Sequence, residues 1–192
     1  LDVPASLVSE FSCRPGQFVT VRVPSERCGS VARCYSLSSS PVLGEPPAIT
    51  VKRTEGGYAS NWILDRVRAG TVLDLLPPAG MFSPRSLDGD FLLFAAGSGI
   101  TPVMSILKSA LHAGRGRVLL VYANRDERSV IFGESLRRLV SEFADRLVVV
   151  SRGGCAAWYR DIATHYVELF DYYTPDEFRQ RNDERIMQQR GR

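Results

Sequence analysis

Six consecutive apolar residues, Phe91-Leu92-Leu93-Phe94-Ala95-Ala96, constrain the fold more than any other stretch of this chain. A strand with one wet face alternates apolar and polar residues, whereas a parallel strand covered on both faces reads as an unbroken apolar run. The run ends at Gly97-Ser98-Gly99-Ile100-Thr101-Pro102. Beyond it, apolar residues recur at Val103, Ile106, Leu107, Ala110 and Leu111, the spacing of one helix face. Thr101 can cap that helix with Pro102 at its first position, and Gly114 closes it. Residues 117–123 read as a second strand, Phe132, Leu136, Leu139, Val140 and Phe143 as a second helix, and residues 147–150 as a third strand. Strand–helix–strand–helix–strand is half of a doubly wound nucleotide-binding sheet. A G-x-G pair is weak evidence by itself, but between a buried strand and a helix start it has the context of a phosphate site. Asn124, Arg125, Asp126 and Glu127 follow the second strand, where a nucleotide ribose would lie. For the two carboxylates, ribose binding and a plain solvated loop weigh equally.

Upstream the period changes. Pro15-Gly16 is a turn signal leading into residues 17–23, where three valines alternate with larger or polar residues. Residues 33–37 and 48–53 read as further strands, separated by loops rich in proline, serine and glycine. Gly56 and Gly57 open a short helix capped by Ser60 or Asn61, and residues 72–76 form another strand before Pro77-Pro78-Ala79-Gly80. Short strands between such loops indicate a small Greek-key β-barrel. Residues 83–90 have the composition of a linker. The expected organisation is a β-barrel over residues 1–87, an α/β Rossmann-like half domain over 88–150, and an atypical helical or disordered tail over 151–192.

Within the barrel, Arg33-Cys34-Tyr35-Ser36-Leu37 combines a fixed cation, an aromatic face and a hydroxyl. Arg33 and Tyr35 share one face of a strand, with Ser36 near its end. A flavin dinucleotide needs such groups: a fork for its pyrophosphate, a wall for its ring system and a hydrogen-bond partner at N5. The bland alternative is a half-buried strand with a surface arginine. Paired glycines before a helix likewise let backbone amides approach a phosphate, or simply make a turn.

Composition removes other classes. A formal charge of +3 with interspersed signs gives no reason to expect nucleic acid or a membrane surface. The longest apolar runs are too short to span a bilayer. Cysteines at 13, 28, 34 and 155, with His112 and His165, show no metal-ligand spacing, so no metal is expected, and free thiols in the cytoplasm fit.

The ordered motifs Arg33-Cys34-Tyr35-Ser36, Val51-Lys52-Arg53, Gly57-Tyr58-Ala59-Ser60, Gly97-Ser98-Gly99-Ile100-Thr101-Pro102 and Tyr122-Ala123-Asn124-Arg125 resemble the ferredoxin–NADP reductase superfamily. Residues 15–18 and 30–37 are similar to reductase components of 3-ketosteroid 9-alpha-hydroxylases, flavin reductases that feed Rieske oxygenases in steroid degradation. The resemblance implies FAD and NADH or NADPH, NADH slightly favoured, with an oxygenase component as electron acceptor. It places Arg33 on the FAD pyrophosphate, Tyr35 on the isoalloxazine, Ser36 at N5, and Thr50, Val51 and Lys52 along the adenosine half. Gly57, Tyr58, Ala59 and Ser60 would hold phosphate through backbone amides. Gly97, Ser98, Gly99 and Ile100 would admit the nicotinamide coenzyme's pyrophosphate, Asn124 and Arg125 its ribose. Tyr35, Ser36 and Thr101 would stand at the reacting rings. Against the family pattern, no first barrel strand precedes Leu1, no Cys-Gly-Pro triplet follows residue 150, and no iron–sulfur cysteines occur. The chain therefore reads as a truncated reductase with a foreign tail. The alternative is a non-catalytic remnant that binds flavin or nucleotide.

Overall fold

The computed structural model describes residues 1–152. The helical pattern at Trp158, Ile162, His165, Tyr166 and Leu169 and the turn at residues 174–177 lie outside them, as does nearly all of the segment read as foreign.

Two three-stranded sheets carry the fold. Strands β1 (Phe18–Ser25), β2 (Gly29–Ser36) and β3 (Asp74–Ala79) form an antiparallel sheet in the order β2-β1-β3. The alternation in β1 works as expected: Val19, Val21 and Val23 are fully buried, while Arg22 points out and pairs with Asp74 across the strands. Full burial of each valine contributes about 1.5–3 kcal/mol. Helix α1 (Tyr58–Arg66) adds Ala59 and Ile63 to this core. Strand β3 runs through Pro77 and Pro78, which lack the N–H a ladder needs, and it lies at the sheet edge where that loss is tolerated.

The second sheet is parallel, in the order β4 (Phe91–Ala96), β5 (Val118–Ala123), β6 (Leu147–Arg152). Helix α2 (Ile100–Ala113) connects the first pair and α3 (Gly133–Glu142) the second, giving the expected βαβαβ unit. Val118, Leu120 and Tyr122 of β5 and Leu147 and Val149 of β6 are buried. On β4, by contrast, Leu92 and Phe94 are 59% and 65% exposed, so among the described residues only one face of this strand is covered.

Several local expectations are corrected. Residues 48–53 make no strand, only one bridge between Leu37 and Ile49. Strand β2 ends at Ser36, and its continuation turns into the 3-10 helix Pro41–Leu43, so little extended backbone remains to pair with. Helix α1 begins at Tyr58 with Gly57 as its N-cap, placing Ser60 and Asn61 inside the helix rather than before it. Helix α2 begins at Ile100 with Gly99 as its N-cap. Thr101 and Pro102 therefore lie in its first turn, where a missing N–H leaves no helical bond unmade.

Helix α2 also joins the two sheets. It packs beneath β4 and β5 and against the Pro41–Leu43 turn. Lys108 of α2 donates to Glu45, which also accepts the Ser40 amide. Gly16, at φ +90°, brings the β1 entry turn so close that an added Cβ would stand 2.0 Å from the Phe82 carbonyl oxygen and 3.0 Å from Ile106 Cδ1 of α2.

Two outcomes follow from these contacts. Gly16→Ala combines a left-handed backbone with overpacking and should lower stability by about 1–3 kcal/mol, read from the denaturation midpoint; an unshifted midpoint would contradict the close approach. Glu45 concerns pH. Burial pushes its carboxyl up, but the Lys108 hydrogen bond, the Ser40 amide and the charges of Lys108 and His112 together hold it below the ordinary carboxylate range. A lowered folded-state value contributes stability that is present above the ordinary value near about 4.3 and is lost as pH falls through the folded value. Glu45 is still about one-third exposed, so solvent screens part of the interaction and the effect is modest. Across that acid window the thermal midpoint of the wild type should drop more steeply than that of Glu45→Gln, and parallel curves would rule the linkage out.

Candidate functional site

The carboxyl ends of β4 and β5 frame a cleft of about 300 Å³ lined by Lys52, Ala96, Gly97, Ala123, Asn124, Arg125 and Ser129. In an open α/β sheet this is where ligands bind. The loop after β4 is a 3-10 turn, Gly97–Gly99, that runs directly into α2. Gly97 has φ +48°, which explains the glycine, and a Cβ at either Gly97 or Gly99 would meet nothing within 4 Å. Open space thus lies before the backbone at both positions.

Tyr122 fixes this loop. Its side chain is fully buried, and its hydroxyl donates to the Gly97 carbonyl at 3.0 Å while accepting from the Ile131 amide at 3.2 Å. Burial pushes the phenol above its usual value, against the pull of the Ile131 amide and of Asn124. Both polar side-chain atoms of Asn124 are buried without a hydrogen-bond partner of good geometry among the described residues. A buried amide in that state costs free energy unless something completes it. The pair of open glycines and the orphaned amide fit a nucleotide seated in the cleft.

The carboxylate of Asp126 has a local role. It accepts the Ser129 amide at 2.8 Å as Ser129 Oγ donates back to the Asp126 carbonyl, capping the 3-10 turn Glu127–Ser129. Of the charged residues after β5, Arg125 lines the cleft and Asp126 does not.

The remaining sequence candidates are not among the residues lining that cleft; they lie on β2, in the segment before α1, on α1, and in the glycine turn and first turn of α2. Arg33 is exposed in β2 and donates to the Ala32 carbonyl at 2.8 Å. It stands opposite Val21, and Tyr35 opposite Val19, so the two share a face as the alternation requires. Tyr35 packs against the β1 core; burial pushes its phenol up, with the Arg33 cation opposing. Ser36 closes β2 opposite Phe18. The hydroxyl of Thr50 pairs with Ser38 Oγ at 2.8 Å, and Val51 packs on the β1 core. Gly57 caps α1 without side-chain help, and a Cβ there would come within 2.8 Å of Thr54. Tyr58 donates to the Pro24 carbonyl at 2.7 Å, tying α1 to the end of β1. Ala59 and Ser60 are buried, and inside the same helix Asn61 Oδ1 is buried without a partner among the described residues. Ser98 lies within the glycine turn, Ile100 is fully buried, and Thr101 donates from its hydroxyl to the Ser98 carbonyl at 3.0 Å.

Lys52 is the cross-link that spacing did not reveal. It comes from the segment after Val51, yet it lines the cleft opposite Gly97, Asn124 and Arg125. The only sequence signal for the structural role of Tyr122 is a hydroxyl near the end of an apolar strand.

Comparison with known proteins agrees with this geometry. A family described as the oxidoreductase NAD-binding domain matches residues 93–169, which reaches beyond residue 150. The ferredoxin reductase component of 3-ketosteroid-9-alpha-monooxygenase from Rhodococcus rhodochrous is 63% identical over 148 residues, covering 77% of this chain and 42% of that protein. The chain thus spans about two-fifths of the length of such relatives. Among solved structures, the Amycolatopsis cytochrome P450 reductase is 25% identical with a TM-score of 0.63, covering 79% of this chain and 50% of that one. The flavohem-like FAD/NAD-binding domain of the Vibrio cholerae nitric oxide dioxygenase shares the fold at 24% identity and a TM-score of 0.61, over 74% of this chain and 60% of that one. The chain thus has the fold of flavoprotein reductases of the ferredoxin–NADP reductase type, and over most of its length its sequence is similar to reductase components of oxygenase systems.

Proposed function

We propose that this chain is the FAD- and NAD(P)H-binding core of an oxygenase reductase, residues 1–87 serving the flavin and 88–150 the nicotinamide coenzyme. The observation that carries the reading is the cleft in which Lys52 from the barrel segment meets Gly97, Asn124 and Arg125 from the parallel sheet. When bound, FAD supplies the chemistry that joins a two-electron nicotinamide donor to a one-electron acceptor. The protein's part is binding and orientation. Arg33 offers a permanent cation to the flavin pyrophosphate, and Tyr35 a ring backed by the β1 core. Ser36 presents a hydroxyl and an N–H where β2 ends. The uncapped start of α1 offers the amides of Tyr58, Ala59 and Ser60 to phosphate. Tyr122 holds the glycine turn still, so that the backbone at Gly97 and the Asn124 side chain line the cleft at which a coenzyme would arrive. Thr101, in the first turn of α2, braces the same turn through its hydrogen bond to the Ser98 carbonyl. By similarity to the steroid monooxygenase reductase components, the acceptor is an oxygenase partner; a cytoplasmic setting is the reading that cysteines without disulfide or metal-ligand spacing support.

Reconstitution tests this directly. The purified chain should take up FAD with visible absorbance, and dithionite should bleach it; a folded protein that stays colourless in excess FAD would leave only a remnant. Arg33→Ala removes a charge-assisted contact and should weaken FAD binding by roughly ten- to a hundredfold, measured by dilution. Unchanged affinity would remove Arg33 from the site.

Coenzyme choice follows from the loop after β5. One Asp126 oxygen is occupied by the cap, leaving a weakened carboxylate effect and Arg125 on the cleft. Titration calorimetry should show NADH preferred to NADPH only modestly. Arg125→Ala should weaken NADPH about tenfold or more while leaving NADH within about twofold, and equal losses for both would place Arg125 elsewhere.

A further inference from the structure

We propose that Ser40, Ser105 and Ser109 form a buried hydroxyl latch that sets the register between the flavin-motif strand and α2, and that they are positioning residues for electron transfer between the two cofactors. The second half of this rests on the function proposed above. All three serines are at most 1% exposed. Ser109 Oγ donates to the Ser105 carbonyl at 2.7 Å, which commits its single proton. The 2.8 Å contact between Ser40 Oγ and Ser109 Oγ must therefore run from Ser40 as donor to Ser109 as acceptor. Ser105 Oγ in turn donates to the Ser39 carbonyl at 2.6 Å. Two hydrogen bonds thus cross between loop and helix in opposite directions, and every hydroxyl proton has an acceptor.

Stability alone does not explain three serines at these positions. Burying a hydroxyl costs free energy that its hydrogen bond does little more than return. Alanines would fill the interface as a sliding apolar contact, whereas a fully satisfied polar network admits one arrangement. On the loop side that arrangement is rigidly continuous with the flavin motif. Beyond Ser36, the Leu37 amide donates to the Gln17 carbonyl at 2.9 Å and the Ser38 amide to the Ala48 carbonyl at 2.8 Å. On the helix side, Ser105 stands one turn after Thr101 and Ser109 two turns after it. A slip of loop against helix would shift Ser36 relative to Gly97–Thr101 by a comparable amount. A misplacement of about 1 Å can slow a transfer step about a hundredfold.

The test uses the full chain with FAD, comparing wild type with Ser105→Ala and with the double variant Ser40→Ala/Ser109→Ala. The double variant removes donor and acceptor together and so remains usable if the single one folds poorly. Amide hydrogen exchange at residues 38–40 should quicken by about tenfold or more. FAD and NADH dissociation constants should stay within about twofold, while the limiting rate of anaerobic reduction by NADH falls about tenfold or more and reduction by dithionite is unaffected. An unchanged limiting rate despite lost protection would sink the positioning role, and so would a joint decline of rate and both affinities. If the wild type takes up no flavin, the functional reading above fails, and exchange alone decides the latch: unchanged protection in the variants overturns it.

Discussion

Helix α2 is buried on more than one side, and both halves of the structure depend on that burial. Ten of its fourteen residues are buried, more than the single apolar stripe of a surface helix provides. Its large side chains, Ile106, Leu107 and Leu111, supply the non-directional part of the contact, at about 25 cal/mol for each Å² removed from water. Thr101, Ser105 and Ser109 supply direction. The helix is therefore both the crossover of the parallel sheet and the surface on which the antiparallel sheet's loops are registered, and its own first turn carries the glycine loop. Anything that moves α2 moves the candidate coenzyme cleft with it.

Most of this was legible in the chain, and the reason is periodicity. The unbroken run at residues 91–96 and the helical spacing that follows call for a strand and a covering helix, and both formed with nearly the expected bounds, although among the described residues only one face of the strand is covered. The three alternating valines of β1 were equally plain. Residues 48–53 alternate just as well, yet they find no continuous partner, because pairing depends on where a neighbouring chain turns and not on the segment itself. The linker-like composition of residues 83–90 concealed a tight approach. Asp88 and Asp90 accept the amides of Arg115 and Arg117, and a Cβ on Gly116 would come 1.9 Å from the Gly89 carbonyl oxygen. Gly114 and Gly116 were the available signal, since two glycines flanking Arg115 allow backbone to lie on backbone.

The elements of the candidate site were legible by motif, their side-chain positions less so. Arg33 and Tyr35 do share a face, and the glycine loop does stand between strand and helix. Thr50 and Thr101 use their hydroxyls in internal hydrogen bonds, to Ser38 and to the Ser98 carbonyl. Such bonds depend on the neighbour's position, which no spacing rule contains. The same holds for Lys52, whose charge reaches the parallel sheet's cleft because the segment after the Leu37–Ile49 bridge leaves the antiparallel sheet.

Tyr122 and Asn124 divide the remaining work between them. Tyr122 lies on the helix-facing side of β5, where a phenylalanine would pack as well but would leave the Ile131 amide without its partner. Its hydroxyl joins the loop after β4 to the loop after β5, so the backbone of the glycine turn is already in place before any ligand arrives, and ordering it adds nothing to the cost of binding. Asn124, two residues on, is the opposite case. Its amide is buried without a well-placed partner among the described residues, a state that a ligand supplying a donor and an acceptor would relieve. A preformed backbone beside one unsatisfied side chain would favour a ligand able to satisfy that amide over an equally charged one that cannot, a discrimination by hydrogen bonding that is separate from any discrimination by charge at Lys52 and Arg125.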